Sequence, residues 1–248
     1  MNTKAVLFIF FIICLWQGIS FLGLFNETLF PSPLKVLDSA FKLFESGQLL
    51  VDIFTSTCRM LIGLLIGASF GVFFGLLMGR IFFLEETTAP FLHILRAFPP
   101  VAIIPLMIVW FGIGDVAKII SIAFAVFFPV WVSALVGAKS ISKNYLKTAR
   151  VFSKSKTQTF YKVIIPATIP FLVSGIRIGI STAFIMVFVS ELAGASSGLG
   201  YLIAYAQIIY RIDNMLVGLI VLGLLGALTD YLFVMGSKRF FPWVKNNG

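Results

Sequence analysis

Residues Met60–Leu84, MLIGLLIGASFGVFFGLLMGRIFFL, establish the architectural class of this chain. They are apolar for longer than the roughly 20 residues that a helix needs to cross the hydrocarbon core of a bilayer. Within them a glycine recurs at every fourth position from Gly63 to Gly79. Small residues at this spacing share one helix face and let a second helix approach closely. The stretch therefore predicts a transmembrane helix that packs tightly against a neighbouring helix, within the chain or at a subunit interface.

The composition of the whole chain agrees with a membrane protein. Of its 248 residues, 59% are hydrophobic and only 12% are charged, whereas about 25% of the residues in a soluble domain are charged. Five further stretches are apolar enough to span a bilayer: Ala5–Phe25, Pro90–Phe111, Ala117–Val136, Val163–Val189 and Met215–Val234. We therefore predict an all-α integral membrane protein with about six transmembrane helices, which form a single domain over residues 1–248.

The segment between the first two predicted spans, residues 26–56, is too polar to cross the membrane. Pro31-Ser32-Pro33 interrupts the chain there. After this interruption apolar residues recur at helical spacing: Leu34, Val36, Leu37, Ala40, Phe41 and Phe44. This periodicity predicts an amphipathic helix on the external side, lying on the bilayer surface or against the other helices.

The positive charges predict the orientation of the chain. Its formal net charge is +9, and lysine and arginine concentrate on the cytoplasmic side of membrane proteins. Six spans with a cytoplasmic N-terminus place both termini and the segment Lys139–Lys162 inside. That segment alone contains Lys139, Lys143, Lys147, Arg150, Lys154, Lys156 and Lys162. Both termini are therefore predicted to be cytoplasmic, and the excess positive charge needs no nucleic-acid partner.

The connection Lys139–Pro166, KSISKNYLKTARVFSKSKTQTFYKVIIP, is too polar to span and too patterned to be a slack linker. Ser142 can cap a helix that begins at Lys143, on which Leu146, Ala149 and Phe152 share one face. Ser153–Ser155 interrupts the pattern, and Thr157 can begin a second short helix. The predicted helix–turn–helix lies along the inner membrane surface. Its apolar face needs a partner, which from the pattern alone is either a protein or anionic lipid headgroups.

The spacing of this connection resembles the coupling-loop motif of binding-protein-dependent ABC importer permeases. That motif has Glu-Ala-Ala, three residues, Gly, nine residues and Ile-x-Leu-Pro. Here Lys147-Thr148-Ala149 is followed at the same spacings by Ser153 and by Val163-Ile164-Ile165-Pro166. Lys147 replaces the acid of the motif and Ser153 replaces its glycine. A serine in the left-handed turn that glycine permits would cost roughly 1 kcal/mol.

Other stretches resemble the branch of these permeases that serves nitrate, sulfonate, taurine, bicarbonate and related small solutes. Their order and spacing match over about residues 29–236. They are Pro31-Ser32-Pro33, Ser56 to Arg59 with Gly63, Leu95–Pro99, Pro105-Leu106, Trp110–Gly114, Gly175-Ile176-Arg177, Glu191 and Gly198–Gly200.

The resemblance implies a permease subunit of the bacterial cytoplasmic membrane rather than an enzyme. Its implied partners are a second copy of itself, separate ABC ATPase subunits and an extracytoplasmic solute-binding protein. The implied ATPase-coupling residues are Leu146, Lys147, Thr148, Ala149, Phe152, Ser153, Val163 and Pro166. The chain has no Gly-x-x-x-x-Gly-Lys-Ser/Thr phosphate loop. We therefore expect ATP on the partner subunit, and no cofactor and no catalytic residue on this chain.

Charged residues and helix breaks within or beside the apolar stretches are candidates for the translocation pathway, because an unpaired charge is costly in a bilayer. The predicted pathway residues are Arg59, Arg96, Pro99, Arg177 and Glu191. Arg96 lies in a span that Pro99, Pro100 and Pro105 interrupt. A cluster of arginines suits an anionic solute, although a structural pairing with Glu191 or Asp230 is an alternative. The single histidine, His93, is expected to be structural, and we predict no metal site.

An ATP-independent secondary transporter or channel is the alternative function. Such a transporter would place acidic ion-binding sites on discontinuous helices in two repeated halves. The sequence has no such halves. A membrane-embedded enzyme would require a constellation of catalytic side chains that the sequence also lacks.

Overall fold

Every regular element is helical in residues 3–22, 26–153 and 155–243, which are the residues that the computed structural model describes. The α-helices in chain order are α1 (Thr3–Phe21), α2 (Pro33–Glu45), α3 (Gln48–Met78), α4 (Phe82–Ala97), α5 (Ile104–Phe111), α6 (Asp115–Ser140), α7 (Lys143–Phe152), α8 (Lys156–Thr159), α9 (Ile165–Leu192), α10 (Leu199–Ile208) and α11 (Ile212–Phe240). A 3₁₀ turn at Pro100–Ile103 precedes α5, and a π-helical turn at Phe160–Ile164 joins α8 to α9.

Among the described residues, five helical segments are long and apolar enough to cross a membrane: α1, α3, α6, the continuous segment Thr157–Leu192, and α11. A sixth crossing results if α4 and Pro100–Phe111 are counted as one broken span. The predicted all-α fold of about six spans is therefore confirmed. The end of the first predicted span, residues 23–25, lies outside the described residues.

The break between α4 and α5 is sharp, with a bend of 89°. Phe98 and Pro99 have ψ angles of 131° and 121°, which are extended rather than helical. Each of these residues precedes a proline, and a residue in that position avoids the α-helical region for steric reasons. The span predicted at Pro90–Phe111 therefore starts earlier, at Phe82, and turns at its prolines.

Contacts group the chain into two compact units. Unit 1 comprises residues 1–57 and 191–225, and unit 2 comprises residues 58–190 and 226–248. The prediction that the chain forms a single membrane domain stays a prediction.

In unit 1, the amphipathic helix predicted after Pro31-Ser32-Pro33 is α2. The Ser32 hydroxyl accepts the Lys35 N–H at 3.3 Å, and Pro33 occupies the first turn, where a missing N–H costs nothing. The helix buries Val36 and Leu43 in a core formed with Leu49, Leu199, Leu202 and Val217. The buried Ser39 hydroxyl also donates to Asp213 at 2.7 Å. α2 therefore packs against other helices, while Leu34 and Phe41 remain on its exposed face.

In unit 2, the glycine stripe of α3 packs against α6. A Cβ at Gly75 would lie 2.6 Å from the Trp131 carbonyl oxygen, and a Cβ at Gly71 would lie 2.9 Å from the Phe127 carbonyl oxygen. Only glycine allows two helix backbones to come this close. The stripe therefore serves a contact within the chain, and α6 becomes the buried centre of unit 2, with Val130 and Trp131 fully shielded.

Candidate functional site

The first candidate site is the polar connection between α6 and α9. The Ser142 hydroxyl accepts the Tyr145 N–H at 3.2 Å, so α7 begins where the sequence predicts. Leu146 and Ala149 are half-buried on this helix. Phe152, at its end, is 83% exposed and the adjacent Val151 is 81% exposed. A polar helix that exposes such an apolar end offers a surface for a partner.

The turn after α7 differs from the turn that the family motif would produce. Ser153 has φ −102° and ψ 134°, which is ordinary extended backbone that any residue adopts. The cost of roughly 1 kcal/mol expected for a left-handed serine therefore does not arise. In this chain Ser153 ends α7 without the conformation that would require glycine.

The second half of the connection leads without interruption into a membrane span. Ser155 accepts the Gln158 N–H at 3.1 Å, so α8 begins at Lys156 rather than at Thr157. The helix then widens, and the Ile165 N–H donates to the Phe160 carbonyl oxygen five residues back. Pro166, which cannot donate, follows directly.

The remaining predicted coupling residues spread over both halves of the connection. Lys147 and Thr148 are exposed on α7, and Val163 and Pro166 are half-buried beyond the turn. Lys154 and the side chains of Lys143, Arg150 and Lys156 lie outside the described structure.

Arg59, the first of the predicted pathway residues, lies in unit 2 and is 5% exposed. Its Nη2 lies 2.6 Å from Asp115 Oδ1, and its Nε donates to the same oxygen at 2.8 Å. Asp115 occupies the first turn of α6, where a carboxylate also complements the helix dipole. Asp115 was not among the predicted site residues, although an acid directly after Gly114 at the start of a span is a helix-start signal. This ion pair links α3 to α6, and a pathway role for Arg59 stays a prediction.

Glu191 lies in unit 1, is 1% exposed and holds the start of α10. Its carboxylate accepts the Ser56 hydroxyl at 2.8 Å and the Gly200 N–H at 2.8 Å. A Cβ at Gly198, where φ is +117°, would lie 2.5 Å from the Glu191 Cδ. Three motifs that are separate in the sequence thus meet around one carboxylate. A pathway role for Glu191 stays a prediction beside this structural one.

Arg177 and Asp230 form a two-pronged ion pair between α9 and α11 in unit 2. Nε donates to Oδ1 at 2.8 Å and Nη2 donates to Oδ2 at 2.9 Å. The two side chains remain 49% and 31% exposed. A structural pairing of an arginine with Asp230 is the alternative considered from the sequence, and the arginine that makes it is Arg177.

Arg96 lies in the last turn of α4, just before the break at Pro99, and its side chain is exposed. It borders a cavity of about 390 Å³ in unit 2, whose other walls come from the 3₁₀ turn, α6 and α9. Ser133 and Thr182 also line this cavity. Sequence reasoning missed both hydroxyls, because a lone serine or threonine in an apolar span is common.

His93 stacks at an angle on Trp131, with 5.2 Å between the ring centroids. This is a packing contact, and a structural role for His93 stays a prediction. In the described part of the chain, no three His, Cys, Asp or Glu side chains group closely enough to hold a metal ion.

The amino-acid sequence of this chain is similar to those of known transport proteins. The family described as Binding-protein-dependent transport system inner membrane component matches residues 67–242. A probable ABC transporter permease protein of Brucella melitensis is 36% identical over 86% of this chain and 87% of that protein. The putative aliphatic sulfonates transport permease protein SsuC of Bacillus subtilis is 34% identical over 97% of this chain and 87% of its own length.

A similar fold occurs in a solved structure. A chain of the inward-facing MetNI methionine ABC transporter superposes with a TM-score of 0.66, covering 82% of this chain and 98% of that one. Its sequence is 21% identical to this chain, so the likeness concerns the fold.

Proposed function

This chain belongs to the family of binding-protein-dependent transport system inner membrane components, the permease subunits of ABC importers, and from that premise we propose that two copies of it enclose the pathway of a small organic anion. It is a multi-pass inner-membrane protein that works with ABC ATPase subunits and a solute-binding protein. It is a transport protein rather than an enzyme. Family membership decides against the alternative of an ATP-independent secondary transporter or channel.

The proposed substrate class depends on one observation. The relative whose name gives aliphatic sulfonates aligns with 97% of this chain at 34% identity. We infer a solute with a sulfonate-like headgroup. The exposed Arg96 beside a cavity supports this inference, because a planar guanidinium pairs well with the oxygens of an anion.

We propose that α7 and the turn after it dock on the ATPase subunit. The support is the exposed apolar end of α7 at Val151 and Phe152, with the small Ala149 half-buried on the same helix. Burying exposed aromatic and aliphatic surface against a protein is favourable. Lys147, where the family motif has an acid, gives this docking surface a basic character. ATP would be bound by the partner subunit, and this chain would carry no cofactor.

The continuity of the helix beyond the coupling turn suggests how docking acts on the pathway. Thr157–Leu192 is one apolar helical segment of 36 residues, so a displacement of its cytoplasmic start is passed along the whole span. We infer that ATP-driven closure of the ATPases draws the two α7 helices together. This movement would switch access to the pathway from one side of the membrane to the other.

The second copy and the orientation are part of the proposal. A half-exposed ion pair such as Arg177–Asp230 is costly against lipid, so charged groups in spans face a water-filled cavity or another protein surface. A second copy of the chain across the pathway would satisfy this requirement. The basic residues of 139–162 support cytoplasmic termini.

Reconstitution tests the proposal. The chain is assembled with its ATPase subunits and solute-binding protein in proteoliposomes, and uptake of radiolabelled ethanesulfonate is measured. We expect uptake that requires ATP and that the neutral analogue ethyl methyl sulfone neither shares nor inhibits. Equal transport of the neutral analogue, or uptake that continues without ATP, would contradict the proposal.

A further inference from the structure

The three arginines predicted for the pathway differ in how their charge is balanced. Arg59 pairs with Asp115 and Arg177 pairs with Asp230. Arg96 makes no hydrogen bond and no ion pair with any residue in 3–22, 26–153 or 155–243. A guanidinium already held by a carboxylate has little affinity left for a second anion. Of the three, Arg96 is therefore the one whose charge is available to a solute.

The position of Arg96 explains how an unpaired charge persists in a broken span. It lies in the last turn of α4, where the free carbonyl groups of the helix end favour a positive charge. The break at Phe98–Pro99 then turns the chain away from a straight crossing. Irregular backbone at membrane depth is tolerated where it lines a cavity or is buried in protein, and here a cavity lies beside it.

The cavity has the size and the chemistry of a small-molecule site. Its volume of about 390 Å³ falls within the range of roughly 300–1,000 Å³ that ligand pockets occupy. Ser133 lines it, and its hydroxyl makes no hydrogen bond to a described residue. Thr182 already donates to the Ile178 carbonyl at 3.0 Å, so its oxygen can only accept. Phe128, Val132 and Ile178 supply apolar walls.

Gly175 keeps the Ser133 side chain in place. A Cβ at Gly175 would lie 2.5 Å from the Ser133 Cβ and 2.7 Å from its Oγ. Any larger residue there would push Ser133 out of its position between α6 and α9. The glycine of the Gly175-Ile176-Arg177 motif thus has a local reason to be a glycine.

We propose that Arg96 and Ser133 form an anion-binding subsite within the permease, which holds the sulfonate headgroup of the solute while the apolar walls receive its short alkyl chain. This inference rests on the proposed function as an importer of small organic anions. A sulfonate offers three oxygens to the two donors, and the guanidinium fork can engage two of them at once. The phosphate of an anionic lipid shares this chemistry, so the test must separate the two sources.

The test measures binding to the permease–ATPase complex in the absence of the solute-binding protein. The complex is placed in nanodiscs of phosphatidylcholine alone, and the probe is radiolabelled ethanesulfonate. Arg96→Gln should weaken binding roughly tenfold or more, the factor that one charge-assisted hydrogen bond is worth. Arg96→Lys should have an intermediate effect. The matched control, Arg239→Gln, removes an equal charge at the exposed end of α11 and should leave binding unchanged.

Two further measurements give the subsite a signature that a structural arginine would not have. Affinity should rise from methanesulfonate to propanesulfonate, because each added CH₂ is buried against the apolar walls. In proteoliposomes with the solute-binding protein, Arg96→Gln should lower the maximal uptake rate while the affinity of the solute-binding protein stays the same. If Arg96→Gln fails to assemble, Ser133→Ala takes its place and should weaken binding several-fold.

The opposite results would contradict either the Arg96–Ser133 subsite or the proposed import function on which it rests. Unchanged ethanesulfonate binding in the assembled Arg96 or Ser133 variants would overturn the subsite while leaving the proposed function intact. Loss of co-purified anionic phospholipid without loss of ethanesulfonate binding would assign Arg96 to lipid. A wild-type complex that imports no sulfonate at all would instead refute the proposed function.

Discussion

Gly75→Ala offers a direct measurement of how tightly α3 and α6 are packed. The new Cβ would lie 2.5 Å from the Ala134 Cβ and 2.6 Å from the Trp131 carbonyl oxygen. The second contact is with helix backbone, which cannot rotate away as a flexible side chain can. Restoring an ordinary separation of 3.4 Å would require the helices to part by about 0.8 Å at this point. We expect such overpacking to cost about 1–3 kcal/mol.

A matched control isolates this cost. Gly223→Ala makes the same change within α11, where a Cβ would meet nothing within 4 Å. Both substitutions gain the same helix propensity of about 0.5–1 kcal/mol, so the difference between them reports the clash alone. Unfolding of the two variants is followed by titrating sodium dodecyl sulfate into detergent micelles. If Gly75→Ala proves as stable as Gly223→Ala, α3 and α6 are not in backbone contact and the reasoning fails.

Three further predictions concern the candidate sites. Ala149→Glu should uncouple ATP hydrolysis from uptake in proteoliposomes while leaving insertion intact, since it puts a bulky acid on the proposed docking face; unchanged uptake would place that face elsewhere. Arg177→Ala should destabilise the complex, and the charge-swapped pair Arg177→Asp with Asp230→Arg should restore its thermal stability if the pair is a clamp; failure of the swap would assign Arg177 another role. Glu191→Gln should cost about 1–3 kcal/mol, because one acceptor for the Ser56 and Gly200 donors becomes a donor itself. Unaltered unfolding of that variant in micelles would show that the buried carboxylate is not needed to hold α10.

The start of α7, in the connection Lys139–Pro166, was predictable because its signal is local. A serine accepts an N–H three residues ahead, so the cap at Ser142 can be found from the order of residues alone. The same logic places the start of α2 at Ser32-Pro33. Ser153 is the exception. The motif suggests a left-handed turn, yet Ser153 has an extended backbone conformation.

The charged residues predicted for the pathway were selected for their charge alone, so their different partners could not be told apart in advance. Arg59 and Asp115 are 56 residues apart, and Arg177 and Asp230 are 53 apart. The residues next to Arg59 and Arg177 in the sequence do not indicate which acid each arginine pairs with. In the sequence, Glu191 is one of several motif residues. In the structure its carboxylate accepts hydrogen bonds from Ser56, 135 residues earlier in the chain, and from Gly200, 9 residues later.

The stretch Met60–Leu84, with its regularly spaced glycines, illustrates what the sequence determines and what only the tertiary structure determines. Membrane spans follow from hydropathy over some 20 consecutive residues, and helix caps and the proline break follow from residues adjacent in the chain. These features can therefore be inferred without coordinates. Which helix packs against these glycines depends on the tertiary structure, and it is α6 of the same chain. The same packing pairs Arg59 and Arg177 with acids and leaves Arg96 beside a cavity. Which arginine pairs with an acid and which one borders a cavity is therefore a consequence of how the helices pack.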